Sequence, residues 1–236
     1  MINVLVSGCN GKMGQEVINE IDKFTNLQLT CGFDKFDKGL NTFPVFSEID
    51  QISEPVDVII DFSIPECTLS LLEYAKSNNI CIVIATTGFT DEQQKVIENY
   101  SKYIPIFKSA NMSYDINLMC KILSWLAPLL KDTDIEIVET HHNRKVDAPS
   151  GTALLLADNI NKSLDNSMNY NLDRLHKREK RNKNEIGFSS IRGGNIVGEH
   201  SVLFMGEHET LEIKHTSYSK SVFANGALKA AEFIVN

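Results

Sequence analysis

One fifteen-residue segment, ETHHNRKVDAPSGTA at 139–153, holds the side chains best suited to acid–base chemistry and to anion binding. Strict alternation of apolar and polar residues over 134–142 predicts a half-buried strand that ends in two adjacent histidines. On such a strand His141 shares a face with Glu139, whereas His142 points to the opposite face. A histidine held at a strand end can act as a general acid, so the segment predicts proton transfer.

The same segment continues into a predicted helix that begins at Ser150. Gly151 and Thr152 would lie in its first turn, where backbone N–H groups are free and the helix dipole is positive. Lys145 adds a positive charge shortly before the turn. These donors predict a carboxylate site, in which a bound organic anion could be protonated as it is reduced. The alternative is a capped helix that follows a solvated basic loop.

A glycine-rich segment, VSGCNGKMG, follows the first predicted strand and leads into a helix. Gly8, Gly11 and Gly14 would allow a tight turn and let the backbone approach the pyrophosphate of a dinucleotide at the helix N-terminus. The spacing is GxxGxxG rather than GxGxxG, so a tight strand–helix turn without a ligand is the alternative.

Asp34 ends the second predicted strand, about twenty residues beyond the glycines, where a carboxylate would bind the hydroxyls of an adenosine ribose. Lys35 and Lys38 follow and could instead bind the 2′-phosphate of NADPH. NADH and NADPH therefore both stay open, and the opposed charges predict that both are used. A simple turn in FDKFDKG is the alternative.

The segment ATTGF at 85–89 ends the fourth predicted strand. Ligands of open α/β sheets bind beyond the carboxyl ends of the strands, so Thr86 and Thr87 could line a nicotinamide or a substrate. The alternative is a plain turn in which Thr90 caps the next helix.

Strand and helix patterns alternate through the first half of the chain and place these segments at strand ends. Continuous apolar strands separated by amphipathic helices are typical of a parallel sheet covered on both faces. The predicted strands are 2–8, 27–34, 56–63, 80–88 and 104–110, and the helices between them are 11–24, 66–79 and 90–102.

The second half of the chain, beyond about Asn111, has a different pattern. It predicts an α+β domain with an open, antiparallel or mixed sheet, so the whole chain is predicted to be α/β with two domains. A polar, lysine-rich stretch at 165–184 is predicted to be a solvated loop. The predicted elements are helix 117–130, strand 134–142, helix 150–164, strands within 186–222 and helix 224–236.

Composition limits the function classes. The 236 residues carry a net charge of −8, which argues against a nucleic-acid binder, and no apolar run has the length of a membrane span. The five cysteines are scattered without metal-ligand spacing, so no metal is predicted. Unpaired thiols are typical of a reducing cytoplasm, which is the predicted location.

The segment around the double histidine, ETHHNRKVDAPSGTAL, resembles the 4-hydroxy-tetrahydrodipicolinate reductase (dihydrodipicolinate reductase) family of lysine biosynthesis. The resemblance covers nearly the whole chain, in order, through VSGCNGKMG, IIDFS, ATTGF, SANMSYDINLM, IGFSSIRGGNIVGEHSV and FANGAL. It implies a Rossmann-like nucleotide domain over 1–110 and 223–236, and a mixed-sheet domain over 111–222 that binds substrate and forms a homotetramer. It also implies NADH- or NADPH-dependent reduction of a cyclic dicarboxylate in the diaminopimelate pathway.

The resemblance further implies roles for single residues. His141 would be the catalytic proton donor, and Lys145 its cationic partner. The residues that match the substrate site of the family are His142, Ser150, Gly151, Thr152 and Thr87. Those assigned to its cofactor site are Gly8, Gly11, Lys12, Met13, Gly14, Asp34, Lys35, Phe62, Ala85, Thr86, Thr87, Ser109, Ala110, Asn111, Met112 and Lys220.

Two other functions remain as alternatives. One is another two-domain NAD(P)-dependent dehydrogenase that acts on an amino-acid derivative. The other is a non-catalytic nucleotide-sensing protein, which would need only the first half of the chain.

Overall fold

The chain forms two compact units. Unit 1 comprises Met1–Ser113 and Lys220–Asn236, and unit 2 comprises Tyr114–Ser219. The computed structural model describes residues 1–36, 39 and 41–236. Within these ranges no helix combines the length and the apolar character that crossing a membrane requires.

Unit 1 is built on a six-stranded sheet, and all its neighbouring strands are parallel. Its elements are β1 Ile2–Ser7, α1 Lys12–Ile21, β2 Leu27–Phe33, β3 Val45–Phe46, a short 3-10 helix Ile49–Gln51, β4 Val58–Asp61, α2 Pro65–Asn78, β5 Cys81–Ile84, α3 Asp91–Tyr100, β6 Ile106–Lys108 and α6 Ser221–Val235.

The strand order in this sheet is β3-β2-β1-β4-β5-β6. Val4 and Val6 enter a core that α1 and α6 cover, whereas Leu5 enters a second core with residues of α2 and α3. The strands are therefore buried on both faces, as their continuous apolar pattern predicted. The order reverses between β1 and β4, which makes the carboxyl ends of these two strands the expected ligand site. The predicted Rossmann-like class is confirmed.

The sequence did not predict β3. This strand has only two residues, Val45 and Phe46, which pair with Gly32 and Phe33 of β2. Two residues are too few to show a periodic pattern, so this strand can be identified only by its pairing with β2.

Unit 2 contains a mixed five-stranded sheet in the order β11-β10-β7-β9-β8. β7 pairs antiparallel with β10 but parallel with β9, which pairs parallel with β8. The elements are α4 Tyr114–Leu126, a 3-10 helix Ala127–Leu130, β7 Asp134–His141, α5 Gly151–Ser163, β8 Asn169–Asn171, β9 Glu185–Arg192, β10 Gly198–Met205 and β11 Thr210–Ser217. α4 and α5 pack on one face of the sheet and share a core with it. This confirms the predicted open mixed sheet.

The stretch at 165–184 is mostly exposed, as predicted for a solvated loop, but part of it belongs to the sheet. It contains β8, which extends the sheet, and Arg181 is anchored to the strands beside it. The Arg181 guanidinium lies 2.6 Å from Glu136 and 3.2 Å from Glu185. The prediction counted cations without their partners, and one of these partners, Glu136, lies elsewhere in the chain. Residues 165–167, 172–180 and 182–184 are exposed, as a solvated loop would be.

The limits of the two units differ by a few residues from the predicted domain limits. Residues 111–113 and 220–222 belong to unit 1. The reason is close packing, because a Cβ on Gly226 of α6 would lie 1.7 Å from the Met112 carbonyl oxygen. Glycine lets the two backbones touch there, and Met112 joins the core that α6 covers.

Candidate active site

The predicted proton donor, His141, ends β7 on the buried face of the strand. The strand alternates as predicted, so Glu139 and His141 both point toward the core and are 1% and 8% exposed. The Nδ1 atom of His141 lies 2.5 Å from Oε2 of Glu139. Because the carboxylate is an acceptor, His141 Nδ1 carries the hydrogen, and the reactive nitrogen is Nε2.

Glu139 is the centre of a buried network that the sequence did not reveal. Arg192 of β9 binds it with two nitrogens, at 2.8 Å to Oε2 and 2.7 Å to Oε1. The backbone N–H of Ser150 donates to Oε1 at 3.2 Å. Burial alone would raise the pKa of Glu139, but hydrogen bonds from Arg192, Ser190 and His141 prevail and lower it to about 2. The carboxylate is therefore ionised throughout the physiological pH range.

The environment of His141 favours its neutral form. Burial lowers its pKa below the ordinary 6.5, although the hydrogen bond and the charge of Glu139 act in the opposite direction. Gly198 faces the reactive edge, because a Cβ there would lie 3.1 Å from His141 Nε2. Glycine at this position leaves room beside the nitrogen that would exchange a proton.

The start of α5 lies next to this pair. The Ser150 hydroxyl accepts a hydrogen bond from the Ala153 N–H at 3.1 Å, so Ser150 is the N-cap of α5. Its side chain is buried, and its oxygen also lies 3.0 Å from Nε2 of His200. Gly151, in contrast, is exposed, and a Cβ there would meet open space. Thr152 is half-buried in the same turn.

Lys145 and His142 lie in the loop between β7 and α5. The Lys145 ammonium lies 2.8 Å from Asp147, and the hydrogen bond and charge of this lysine keep the pKa of Asp147 low despite partial burial. The His142 N–H donates to the Ile196 carbonyl at 2.8 Å, which fixes the loop beside the β9–β10 turn. Unit 2 thus brings both histidines, the lysine and the helix start together.

The glycine segment of unit 1 has the geometry of a dinucleotide loop. Gly8 has φ +73°, and a Cβ there would lie 2.6 Å from the Phe62 carbonyl oxygen. A Cβ on Gly14 would lie 2.2 Å from the Gly8 carbonyl oxygen, so neither position accepts another residue without a shift. Gly11 is the N-cap of α1 and provides no side-chain hydrogen bond. A helix start without a side-chain cap can offer its N–H groups to an anion.

Asp34 lies at the end of β2, beside a cavity of about 610 Å³. Its Oδ2 accepts the Asn10 N–H at 2.9 Å, so the carboxylate is tied to the glycine loop. Lys35 is exposed, and Lys38 lies outside the described residues. The cavity is lined by Gly8, Gly11, Phe33, Asp34, Lys35, Ser47, Glu48, Ile49, Asp50, Phe62, Ser63, Ile64, Glu66, Cys67 and Ser70.

Asp61 is a second buried carboxylate that sequence reasoning missed. It ends β4 with no exposed surface and accepts hydrogen bonds from Thr68 at 2.5 Å and Thr86 at 3.0 Å. The Ser63 hydroxyl donates to its other oxygen at 2.5 Å. Asp61 therefore holds the segments that follow β4 and β5. Its signal was a carboxylate closing the apolar run VDVIID.

The remaining predicted cofactor residues lie in unit 1, at loops that follow its strands or at helix starts. Thr87 is exposed there and belongs to unit 1, as do the cofactor residues and unlike the other predicted substrate residues. Exposed members of the set are Lys12, Ala110 and Lys220, half-buried members are Met13, Phe62, Ala85 and Ser109, and buried members are Thr86, Asn111 and Met112.

Comparison with known proteins gives matches over both halves of the chain. Residues 2–112 match the family described as dihydrodipicolinate reductase, N-terminus, and residues 115–236 match dihydrodipicolinate reductase, C-terminus. A 4-hydroxy-tetrahydrodipicolinate reductase from Clostridium novyi is 48% identical over 99% of this chain and 93% of its own length. The enzyme of that name from Caldanaerobacter subterraneus is 46% identical over 100% and 93%.

Solved structures that resemble this chain include a reductase of this family and a dehydrogenase. A dipicolinate-bound dihydrodipicolinate reductase from Paenisporosarcina sp. TG-14 is 27% identical, with a TM-score of 0.80 over 99% of this chain and 96% of that one. A scyllo-inositol dehydrogenase from Lactobacillus casei with bound NAD(H) and scyllo-inositol has a TM-score of 0.61 over 100% and 88%, at 14% identity. The second likeness concerns the fold alone.

Proposed function

The chain belongs to the dihydrodipicolinate reductase family, and we propose that it catalyses NAD(P)H-dependent reduction of 4-hydroxy-tetrahydrodipicolinate to tetrahydrodipicolinate in diaminopimelate and lysine biosynthesis. The observation that carries the proposal is the placement of His141. Glu139 holds this histidine beside the open start of α5, where a proton donor and an anion site coincide.

A cyclic dicarboxylate is the proposed substrate. The Paenisporosarcina relative was solved with dipicolinate bound, and unit 2 has donors for a ligand of that chemistry. We assign one carboxylate to the N–H groups of Gly151 and Thr152, and the other to Lys145, with His142 as a further polar contact. Thr87, which belongs to unit 1, stays a prediction as a substrate residue. Ser150 shapes this site as the helix cap, since its own polar atoms already have partners.

Unit 1 fits a dinucleotide. The close contacts of Gly8 and Gly14 form a loop that a pyrophosphate can approach, and the cavity beside Asp34 is large enough for an adenosine. Asp34 would accept hydrogen bonds from the ribose hydroxyls. Asp61 would hold Thr86 and the Phe62 segment in place around the ligand.

The residues of unit 2 would then control the proton. When bound, the reduced dinucleotide supplies the hydride, and the ring also gains one proton and loses one water. His141 in its cationic form donates that proton from Nε2, while Nδ1–H stays on Glu139. Lys145 offsets part of the negative charge of the substrate carboxylates. By itself this lysine lowers the pKa of His141, whereas the bound carboxylates favour the cationic form of the histidine.

Replacing Lys145 with alanine is expected to raise KM and to lower kcat, each by about tenfold, because its charge meets the substrate in the ground state and the transition state. Steady-state kinetics would measure both constants. Lys214→Ala removes a comparable ammonium, which lies 2.7 Å from Glu199 on β10, and should change neither constant. An unchanged KM in Lys145→Ala, with unchanged affinity for dipicolinate, would remove Lys145 from the site.

Use of both dinucleotides is proposed, with NADH favoured by no more than about tenfold. Asp34 repels a 2′-phosphate, and Glu48, Asp50 and Glu66 add negative charge to the same cavity. Lys35, which also lines the cavity, attracts the 2′-phosphate. Glu48, Asp50 and Glu66 are exposed, so the repulsion between each of them and the phosphate is at most about 1 kcal/mol and is screened by salt.

Lys35→Ala should therefore shift the preference further toward NADH, and Asp34→Ala toward NADPH. The ratio of kcat/KM for the two cofactors, at low and high ionic strength, measures this. A wild-type preference above a hundredfold, or variants that change both cofactors equally, would show that these residues do not recognise the 2′ position.

We infer that the open face of the unit 2 sheet joins subunits in a homotetramer. α4 and α5 cover the opposite face, and the open face carries apolar side chains such as Ile191 and Met205, which are 51% and 36% exposed. Light scattering at micromolar chain concentration tests this inference, and a monomer would contradict it. A cytoplasmic location and the lack of a nucleic-acid or membrane partner stay predictions.

The test of the function follows the absorbance of the reduced cofactor at a wavelength at which the oxidised form does not absorb. Substrate generated enzymatically should cause a fall in absorbance that depends on this protein. Binding of the dinucleotide without any turnover would favour the nucleotide-sensing alternative. Turnover with other amino-acid derivatives, but not with this substrate, would favour the other dehydrogenase.

A further inference from the structure

A third histidine of unit 2, His200 of β10, lies directly behind the candidate site. It is 4% exposed, and its Nε2 lies 3.0 Å from the Ser150 hydroxyl oxygen. Its ring meets the His141 ring edge to face, with 5.1 Å between centroids. His200 thus contacts both the cap of α5 and the proton donor on β7.

The backbone N–H and the hydroxyl of Ser150 each have a partner in this network. The hydroxyl oxygen accepts from the Ala153 N–H, and the Ser150 N–H donates to Glu139. The hydroxyl can either donate to an unprotonated His200 Nε2 or accept from a protonated one, because its oxygen has two lone pairs. Either tautomer of the neutral ring can therefore make this bond.

Burial and most of its titratable neighbours keep the His200 ring neutral. Burial, followed by the charges of His141, His215 and Lys145, lowers the pKa of His200 to about 3, and only Glu139 opposes this. The bond to Ser150 therefore persists at every pH at which the protein works.

We propose that His200 is a positioning residue, which acts through Ser150 to hold the first turn of α5 at a fixed distance from His141. Glu139 binds the backbone of Ser150, and His200 binds its side chain, so two strands together fix the cap. The anion-binding N–H groups of Gly151 and Thr152 follow that cap directly. This inference rests on the proposed function, because it gives the fixed helix start a substrate carboxylate to bind.

A double-mutant cycle tests the inference on the full chain. The variants are His200→Leu, which cannot accept a hydrogen bond, Ser150→Ala, and both together. His200→Gln retains an acceptor for the hydroxyl, and His200→Asn is polar but too short to reach it. His215→Gln is the matched control, because His215 is the cross-strand partner of His200 on β11.

The readouts are affinity for dipicolinate, KM, kcat and hydrogen exchange at the Ala153 amide. His200→Leu and Ser150→Ala should each weaken dipicolinate binding about threefold to tenfold and raise KM similarly, the loss expected for one hydrogen bond. The double variant should be no weaker than the worse single variant, because both remove the same interaction. The Ala153 amide should exchange faster in all three, and His200→Gln and His215→Gln should resemble the wild type.

Several outcomes would overturn the inference. They are additive losses in the double variant, wild-type binding and exchange in both His200→Leu and His200→Asn, or a lowered melting temperature with unchanged KM and dipicolinate affinity. If His200→Leu does not fold, His200→Asn and Ser150→Ala carry the comparison. A wild-type chain that neither reduces the substrate nor binds dipicolinate would refute the proposed function, whereas exchange at Ala153 would still report on the His200–Ser150 bond.

Discussion

Replacing His141 with glutamine is expected to lower kcat by about 10²–10⁴, the range for loss of a general acid. Glutamine can fill the space and can hydrogen-bond Glu139, but it cannot donate a proton to a ring carbon. The dinucleotide should bind as in the wild type, because its proposed site lies in unit 1. Single-turnover and steady-state kinetics would measure the loss, and calorimetry would measure dinucleotide affinity.

His208→Gln is the control for this change. His208 lies in the β10–β11 turn, and its side chain is 86% exposed, so its loss should leave kcat unchanged. Near-normal turnover by His141→Gln, with a folded protein, would show that another group supplies the proton.

The lowered pKa of His141 allows its role as proton donor to be tested through the pH dependence of kcat and kcat/KM. A general acid must be protonated, and burial places the pKa of His141 below 6.5 in the free protein. The value of kcat/KM should therefore fall as the pH rises through this low pKa. A bound dicarboxylate favours the cation, so kcat should fall at a higher pH than kcat/KM does. Both transitions should disappear in His141→Gln.

The sequence predicted those parts of the molecule that depend on local pattern. Continuous apolar strands between amphipathic helices predicted the parallel sheet, and alternation along β7 placed Glu139 and His141 on one face. The glycine spacing predicted the loop after β1. In the structure, close backbone contacts leave no room for a Cβ at Gly8 or Gly14, which explains why glycine stands at these positions. Each of these signals lies within a few residues, where steric and periodic rules act.

The sequence could not predict the partners of those residues. Arg192 lies 53 positions after Glu139, and His200 lies 50 positions after Ser150. They meet because β7 pairs with β9 on one side and with β10 on the other, and strand order is not a property of any local segment. A carboxylate or histidine on the buried face of a strand was the only local hint that such partners exist, since buried charge requires them.

Replacing Glu139 with glutamine is expected to have the second large effect, on both catalysis and stability. An amide cannot hold His141 in its present tautomer as an ionised carboxylate does, so kcat should fall about 10²-fold or more. Arg192 would also lose the buried carboxylate to which its two nitrogens donate. Breaking such a buried ion pair typically costs about 3–5 kcal/mol of unfolding free energy. Kinetics and denaturant titration would measure the two effects.

The free energy of unfolding at acid pH gives an independent readout for Glu139. Folding lowers its pKa from 4.5 to about 2, so its ionised form stabilises the folded protein fully above pH 4.5. That contribution is lost as the pH falls toward 2, because the folded state must then be protonated against its hydrogen bonds. Glu139→Gln should be less stable at neutral pH and should lose less stability between pH 4.5 and 2.

Glu199→Gln provides the matched comparison, since Glu199 pairs with Lys214 in a partly exposed ion pair on the neighbouring strands. Such a pair contributes at most about 1 kcal/mol, so this variant should retain kcat and nearly all of its stability. If Glu139→Gln were as active and as stable as Glu199→Gln, the buried carboxylate would neither orient His141 nor anchor Arg192. Loss of stability with normal kcat would restrict Glu139 to a structural role, because an imidazole that needs the carboxylate for its orientation cannot donate its proton at the normal rate without it.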